Sequence, residues 1–318
     1  MTGSIFMYND IFGEVKGVVY HYISPNTFEK IISNQELWFT RCDCLNDYED
    51  GEVLGKLCKD CLEELHKSKS IDQEFFDVVS SLKISHSAWR IEKDHAVHLP
   101  CKPYVCCFSQ DEDSLQMWQY YSKVGNYEGY NIGFAPKEML NVDTAFFSIG
   151  KVVYGEPEQV EHIKHIIKQS FNNYCVDLHE RNESNNNKTV LLKRHAILLN
   201  NELAKLACFF KRECFAGEKE IRIVLEVPID AEYRDKFWMK NKNNTYPTPT
   251  KYRIQHAMMI PYIVVNFNPD SIKSVMIGPV TSTKDNSMKK NKEVVEEFLH
   301  NRLGRTVPVS TSKIPVRY

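Results

Sequence analysis

No stretch of the 318-residue chain is apolar enough, over enough residues, to cross a bilayer as a helix. The longest strongly apolar run, residues 258–265, falls far short of the ~20 residues a span needs and is interrupted by Pro261. The first twenty residues lack the ordered basic start, apolar run and small-residue cleavage site of a secretory leader. An excess of charge of one sign is missing too. Forty basic side chains meet forty-two acidic ones, a formal net charge of −2, so the footprint of a protein that grips duplex nucleic acid nonspecifically is absent. Neither G-x-G-x-x-G nor G-x-x-x-x-G-K-[ST] occurs, which sets aside ordinary dinucleotide folds and phosphate-loop enzymes. No internal repeat is visible. These absences lead to the expectation of a soluble cytoplasmic protein with reduced thiols and no membrane partner.

What is present is ordinary globular composition, 42% hydrophobic and 26% charged, enough to bury one large core, and a single elaborated domain is expected over residues 1–318. Four of the ten cysteines stand as Cys42-x-Cys44 and Cys58-x-x-Cys61, a count that could close a tetrahedral zinc site. The C-x-C half is atypical, however, and the second pair sits in a helical pattern with Leu54, Leu57, Leu62 and Leu65. Thiols at such positions pack as small apolar groups, so no metal site is expected.

Residues 15–23 (VKGVVYHYI) read as a strand, closely followed by Ser24-Pro25, a cap for a helix carrying Phe28, Ile31 and Ile32. Residues 36–40 form a short strand and 43–47 a polar turn. Residues 52–91 are mostly helical by apolar spacing, an inserted helical region. Strands are expected at 104–110, 130–134, 146–154, 220–227, 262–267 and 274–277, with helices at 160–178 and 189–210 separated by a mobile polar loop at 180–188. A helix begins at Ser114, and a C-terminal helical extension covers 287–302. Strands scattered singly among helices favour an α+β fold, with a mixed, largely antiparallel sheet and inserted helices, over regular βαβ alternation.

Alternation along residues 217–223 puts Glu218, Glu220 and Arg222 on one face of a strand. Taken alone, such a face is commonly a solvated edge with a surface ion pair. His21 lies between Tyr20 and Tyr22, on the strand face opposite to them; its neutral-pH titration and two ring nitrogens recommend it, although such a histidine can equally be structural. Asn46-Asp47 is a turn signal with Glu49 nearby, and Met117, Trp118 and Tyr121 share helical spacing.

These pieces fall in an order: Val19 to Tyr22, Leu37 to Asp47, Cys107 to Ser109, Met117 to Tyr121, Gly129 to Phe134, Lys211 ahead of Glu218-x-Glu220-x-Arg222, and Ile277 to Pro279. In that order the chain resembles the bacterial domain-of-unknown-function family numbered twenty-nine seventy-one, over about residues 18–280. The family is in turn distantly similar to ADP-ribosyltransferases and to abortive-infection proteins. That resemblance implies an ADP-ribosyltransferase-like fold, NAD as substrate and a role in toxin action or phage defence. A macromolecular target, protein or nucleic acid, and an antitoxin or other regulator would be the partners. By the same likeness Glu220, or Glu218 beside it, would be the catalytic glutamate, and His21 would hold a ribose or the nicotinamide side. Tyr22, Tyr120 or Tyr121 would face the nicotinamide, while Arg222 or Arg41 meets pyrophosphate and Asn46 joins the binding set. The chain departs from the pattern where Cys214-Phe215-Ala216 replace a tryptophan ahead of the glutamates.

The chemistry suits these residue types, because breaking the nicotinamide bond builds positive charge on the ribose, which a fixed carboxylate stabilises where water is excluded. The products would be a modified macromolecule or hydrolysed NAD. Two other classes fit the same residues: a non-catalytic nucleotide sensor or interaction module, and a metal-dependent nuclease built on Asp43, Asp47, Glu49, Glu218 and Glu220.

Overall fold

The computed structural model describes residues 15–45, 50–82, 84, 87–92, 95–122, 128–140, 147–181, 185–230, 250–255, 257–279 and 285–315. The chain begins with strand β1 (Val19–Ile23), helix α1 (Pro25–Asn34) and strand β2 (Glu36–Arg41). The Ser24 side chain accepts a hydrogen bond from the Thr27 amide and Pro25 occupies the first turn, which together start α1; Gln35, at φ 55°, ends it in the left-handed region. Next come α2 (Asp50–Lys67), α3 (Gln73–Ser80), β3 (Ser87–Glu92), the long β4 (His95–Ser109), α4 (Leu115–Tyr121), β5 (Tyr130–Phe134), α5 (Pro136–Met139) and β6 (Phe147–Lys151). Helices α6 (Glu156–Arg181) and α7 (Asn185–Ala207) precede β7 (Glu220–Pro228), β8 (Lys251–Gln255), β9 (Met258–Asn266), β10 (Ile272–Ile277), α8 (Asp285–Leu303) and β11 (Val309–Thr311).

The result is a mixed helix-and-sheet fold around a largely antiparallel sheet, which among the described residues has eleven strands and a single parallel strand pair, β10–β11. Strand β4 is its junction. Strand β7 covers one edge of β4 from Cys101 to Ser109, so β1 and β2 must share the opposite edge. Strand β2 pairs there at Tyr104 and Val105, and β1 at Ser109. Both run antiparallel to β4, hence parallel to each other, with α1 as the crossover between them. Cys106, Cys107 and Phe108 therefore face a gap where the sheet divides into two limbs, β1–β5–β10–β11 and β2–β9–β8. That division makes a cleft.

Alternation assigns the strand residues to two cores. Cys106, Phe108, Ile221, Ile223 and Leu225 pack with Phe28 and Ile32 of α1 and with Val295 and Leu299 of α8. Val105 and Val224 face the other way, against Leu54 and Leu62 of α2, Phe75 of α3, Ile163 and Ile167 of α6, and Leu199 and Leu203 of α7. Cys58 and Cys61 lie in this second core, as apolar spacing anticipates. Among the described residues no cluster of three or more His, Cys, Asp or Glu is placed to hold a metal ion, and no helix is long and apolar enough to cross a membrane.

Three sequence expectations are corrected here. Residues 87–92, read as the end of a helical insertion, form β3 and pair antiparallel with β4. The strand expected from Tyr104 starts nine residues earlier, at His95. Within the polar run at 180–188, the described residues 180–181 and 185–188 are helical, because α6 continues to Arg181 and α7 starts at Asn185. An Asp177–His195 contact of 3.0 Å ties this helical pair together.

Helix α7 also carries a pH-sensitive strain. Burial pushes the Glu202 carboxyl up to about 7, and the opposing pull of Lys205 is too weak to reverse it. Because the folded chain holds this proton more tightly than the unfolded one, Glu202 does not weaken the fold below pH 4.5 and does so increasingly as pH rises toward 7. Glu202→Gln should therefore raise stability at pH 8 by on the order of 1–2 kcal/mol and change little at pH 4.5, as urea melts at the two pH values would show.

Candidate functional site

The division of the sheet opens a cleft of about 760 Å³, bounded by β1, α1, β2, β4, α4, β7 and β8 and by the chain just ahead of β7. At its inner end lie Glu218, Glu220, Arg222 and Lys211. Glu218 is not part of the strand as its alternation suggested. It ends a 3-10 turn, Glu213–Glu218, and Lys219, at φ 44°, takes the left-handed backbone that joins the turn to β7. That conformation is unfavourable for a lysine, by on the order of 1 kcal/mol, and is held by the surrounding structure. The Ser109 hydroxyl donates to the Glu218 carbonyl at 2.8 Å and helps fix the turn.

Nor are these charges a solvated edge. Glu218, Glu220 and Arg222 are only 4%, 3% and 1% exposed, because β7 lies between β4 and β6. Arg222 gives Nε to Glu220 Oε1 at 2.9 Å and a second nitrogen to Oε2 at 3.3 Å, while its remaining nitrogen donates to the Cys208 carbonyl at 2.6 Å. Lys211 Nζ reaches Glu218 Oε2 at 2.8 Å and Glu220 Oε2 at 3.2 Å. Burial pushes the Glu220 carboxyl up, but Arg222 and Lys211 together outweigh it and bring the group down to about 2. The Tyr154 hydroxyl accepts from the Glu220 amide at 2.8 Å. Glu220 is thus saturated on both oxygens.

Glu218 is engaged on one side only. Its Oε2 accepts from Lys211 and, at 3.2 Å, from the Tyr121 hydroxyl. Its Oε1 has no hydrogen bond among the described residues, and the side chain lines the cleft. Burial, then the charge of Glu218, drive the Tyr121 phenol well above its ordinary range, so Tyr121 remains a neutral donor. Helix α4 is placed for this contact by Ser114 at its N-cap and by Trp118, whose Nε1 donates to Asp113 at 2.7 Å.

His21 approaches from β1. Its Nδ1 lies 2.9 Å from the carbonyl of Cys107, in the gap where β4 has neither β1 nor β2 beside it. A carbonyl only accepts, so Nδ1 carries the proton and Nε2 is left as the acceptor. Burial pushes the imidazole pKa down and so favours the neutral ring, and the upward pull of the bond to the Cys107 carbonyl is too small to reverse it. His21, Glu218, Glu220, Arg222, Tyr22 and Tyr121 all line the cleft, but by strand alternation Tyr22 shares the sheet face of Glu220 and Arg222, whereas His21 lies on the face of Val19, Ile23 and Phe108 and reaches the cleft through the gap in the sheet.

Several roles implied by the resemblance do not match this geometry. Arg222 cannot be a free fork for pyrophosphate, since its nitrogens hold Glu220 and Cys208. Tyr22 is packed edge-on against Trp118 at 4.7 Å, and its hydroxyl donates to the Asp111 carbonyl and accepts from the Ser114 amide, so it is a wall and not a stacking face. Arg41 pairs with Asp43 at 2.5 Å and does not line the cleft. Asn46, Asp47 and Glu49 lie outside the described residues. More open aromatic surface comes from Tyr120, which is exposed, and from Phe215, whose ring sits 4.6 Å from Lys211 Nζ. Sequence reasoning gave no role to Lys211, Phe215 or Tyr154, although the position of Lys211 ahead of the two glutamates was a usable signal.

A model of the family described as protein of unknown function (DUF2971) matches residues 117–223, from Met117 in α4 to Ile223 in β7. The match supports the family resemblance drawn from the ordered motifs, and its stretch contains Tyr121, Lys211, Glu218, Glu220 and Arg222. No curated protein and no solved structure matches the chain.

Proposed function

We propose that the cleft binds NAD and breaks its nicotinamide–ribose bond, as an ADP-ribosyltransferase-like domain would, passing ADP-ribose to a macromolecule or to water. The observation that carries this reading is the half-engaged carboxylate of Glu218, held by Tyr121 and Lys211 through Oε2 in the cleft that His21 also lines.

In the proposed step the bond between the ribose anomeric carbon and the nicotinamide nitrogen breaks and its electron pair stays on nicotinamide, which leaves neutral. The ribose carries the positive charge until water or an acceptor group adds and gives up a proton. Glu218, desolvated and preorganised, stabilises that charge through Oε1. Glu220 holds Lys211 and Arg222 in place and is not itself the reacting carboxylate. Neutral His21 offers Nε2 to a ribose hydroxyl. Tyr120 and Phe215 supply apolar surface for the departing ring. Such an activity suits a toxin or phage-defence role restrained by a regulator.

Incubating the purified protein with NAD should release free nicotinamide in proportion to protein and time, measured by chromatography. Release no faster than in the protein-free control, with NAD nevertheless bound, would replace this reading with that of a nucleotide sensor.

A further inference from the structure

The far end of the cleft, on the other limb of the sheet, has a different chemistry. Strand β8 brings Arg253 over β9 toward β2, where its guanidinium donates to the Thr40 hydroxyl at 2.9 Å. The guanidinium lies 5.4 Å from the Tyr262 ring centre and 6.0 Å from that of Trp38, and the two rings stack on each other at 4.6 Å. Arg253 is partly buried, and burial weakens its hold on its charge. No carboxylate faces it among the described residues within ion-pairing distance. A guanidinium fixed on an aromatic ledge, with one of its five donors used within the protein, is a preorganised receptor for an anion.

The inner end of the cleft does not compete for that anion, because Glu218 and Glu220 offset Lys211 and Arg222 there. The distance also suits a linked ligand. With its guanidinium at Thr40, which pairs with Val105 and so lies level with Val224, Arg253 is two strand spacings across and up to four residues along from the Glu220 end of β7, on the order of 15 Å. A ribose with a 5′-diphosphate, together with the contact distances at its two ends, covers an interval of that order. Beside the guanidinium, Trp38 is 42% exposed and lines the cleft, a surface on which a flat base can stack.

We propose that Arg253 binds the diphosphate of a dinucleotide and that Trp38 stacks its distal base, so that the limb carrying β2 and β8 selects nucleoside diphosphates over free nucleosides. This rests on the reading of the cleft as an NAD site and adds the group that recognises the half of the molecule which does not react.

Titration calorimetry with ADP-ribose tests it without requiring turnover. The full-length protein should bind ADP-ribose, Arg253→Ala should weaken binding tenfold or more, and Arg253→Lys should restore little of it, since lysine lacks the planar fork. Adenosine should bind weakly and equally to both proteins. Trp38→Phe should retain most ADP-ribose affinity and Trp38→Ala should lose it. Arg253→Gln, which keeps a donor for Thr40, guards against a folding defect and should bind as weakly as the alanine variant. Equal ADP-ribose binding by wild type and Arg253→Gln overturns the proposal, as does failure of wild type to bind ADP-ribose. Tighter Arg253-dependent binding of a 5′-phosphorylated single-stranded oligonucleotide overturns it too, and points to a nucleic-acid acceptor. Loss of nicotinamide release would sink the catalytic reading alone, whereas an unchanged KM for NAD in Arg253→Gln would sink this one alone.

Discussion

Glu218→Gln should lower nicotinamide release at saturating NAD by roughly a hundredfold or more, with NAD affinity within a few-fold of wild type. The amide keeps the size of the carboxylate, Tyr121 can still donate to its oxygen, and Lys211 retains Glu220 as a partner. What disappears is the negative charge opposite a positive charge that exists only while the bond is breaking. An effect on turnover that spares binding is the signature of such a contact. His21→Ala should weaken binding as well, because the ring is proposed to seat a ribose hydroxyl. Should Glu218→Gln release nicotinamide at the wild-type rate, Glu218 is not the working carboxylate.

Removing its neighbour should have a different consequence. Glu220→Ala is expected to cost about 3–5 kcal/mol of stability, because Arg222 would remain almost wholly buried without its counter-charge. Urea denaturation measures this directly, and the double variant Glu220→Leu/Arg222→Met should recover much of the loss, since two apolar side chains need no pairing. A Glu220→Ala protein as stable as wild type would show that the pair carries no such burden. Acid provides a second readout. The folded Glu220 carboxyl stays charged down to about pH 2, whereas an unfolded one takes up its proton near 4.5, so its contribution is complete above pH 4.5 and declines as pH falls through that interval.

The sequence disclosed the elements whose patterns are local. Residues 19–23 and 36–41 have the β-branched and aromatic content of strands, and Ser24-Pro25 announces α1. Strand β3 escaped because SAWRIE has no clean alternation and follows two genuine helices. Glu218, Glu220 and Arg222 could be grouped by spacing, but their burial could not be read. It depends on β4 and β6 enclosing β7, pairings with residues far away in the chain. Glu218 and Glu220 are likewise equivalent as letters, and the difference between them arises from Arg222 turning back along its own strand toward one of the two. Arg253 gave no signal, since KYRIQ is an ordinary strand and its partners Trp38 and Tyr262 come from two others.

The sparse pairing on one edge of β4 has a mechanical meaning. Strand β4 is the spine of an open book, and the leaf bearing His21 is sewn to it at Ser109 while the leaf bearing Trp38 is sewn at Tyr104 and Val105. The leaves are otherwise joined through α1, through a shared core in which Phe134 meets Phe267 at 5.3 Å, and through the short turn from β9 to β10, so the few backbone bonds at those stitches are where a change in their spacing would register. A molecule that touches both leaves is then a clasp. Its grip would be felt at the seam, as slower amide exchange along β4, at atoms the molecule never reaches.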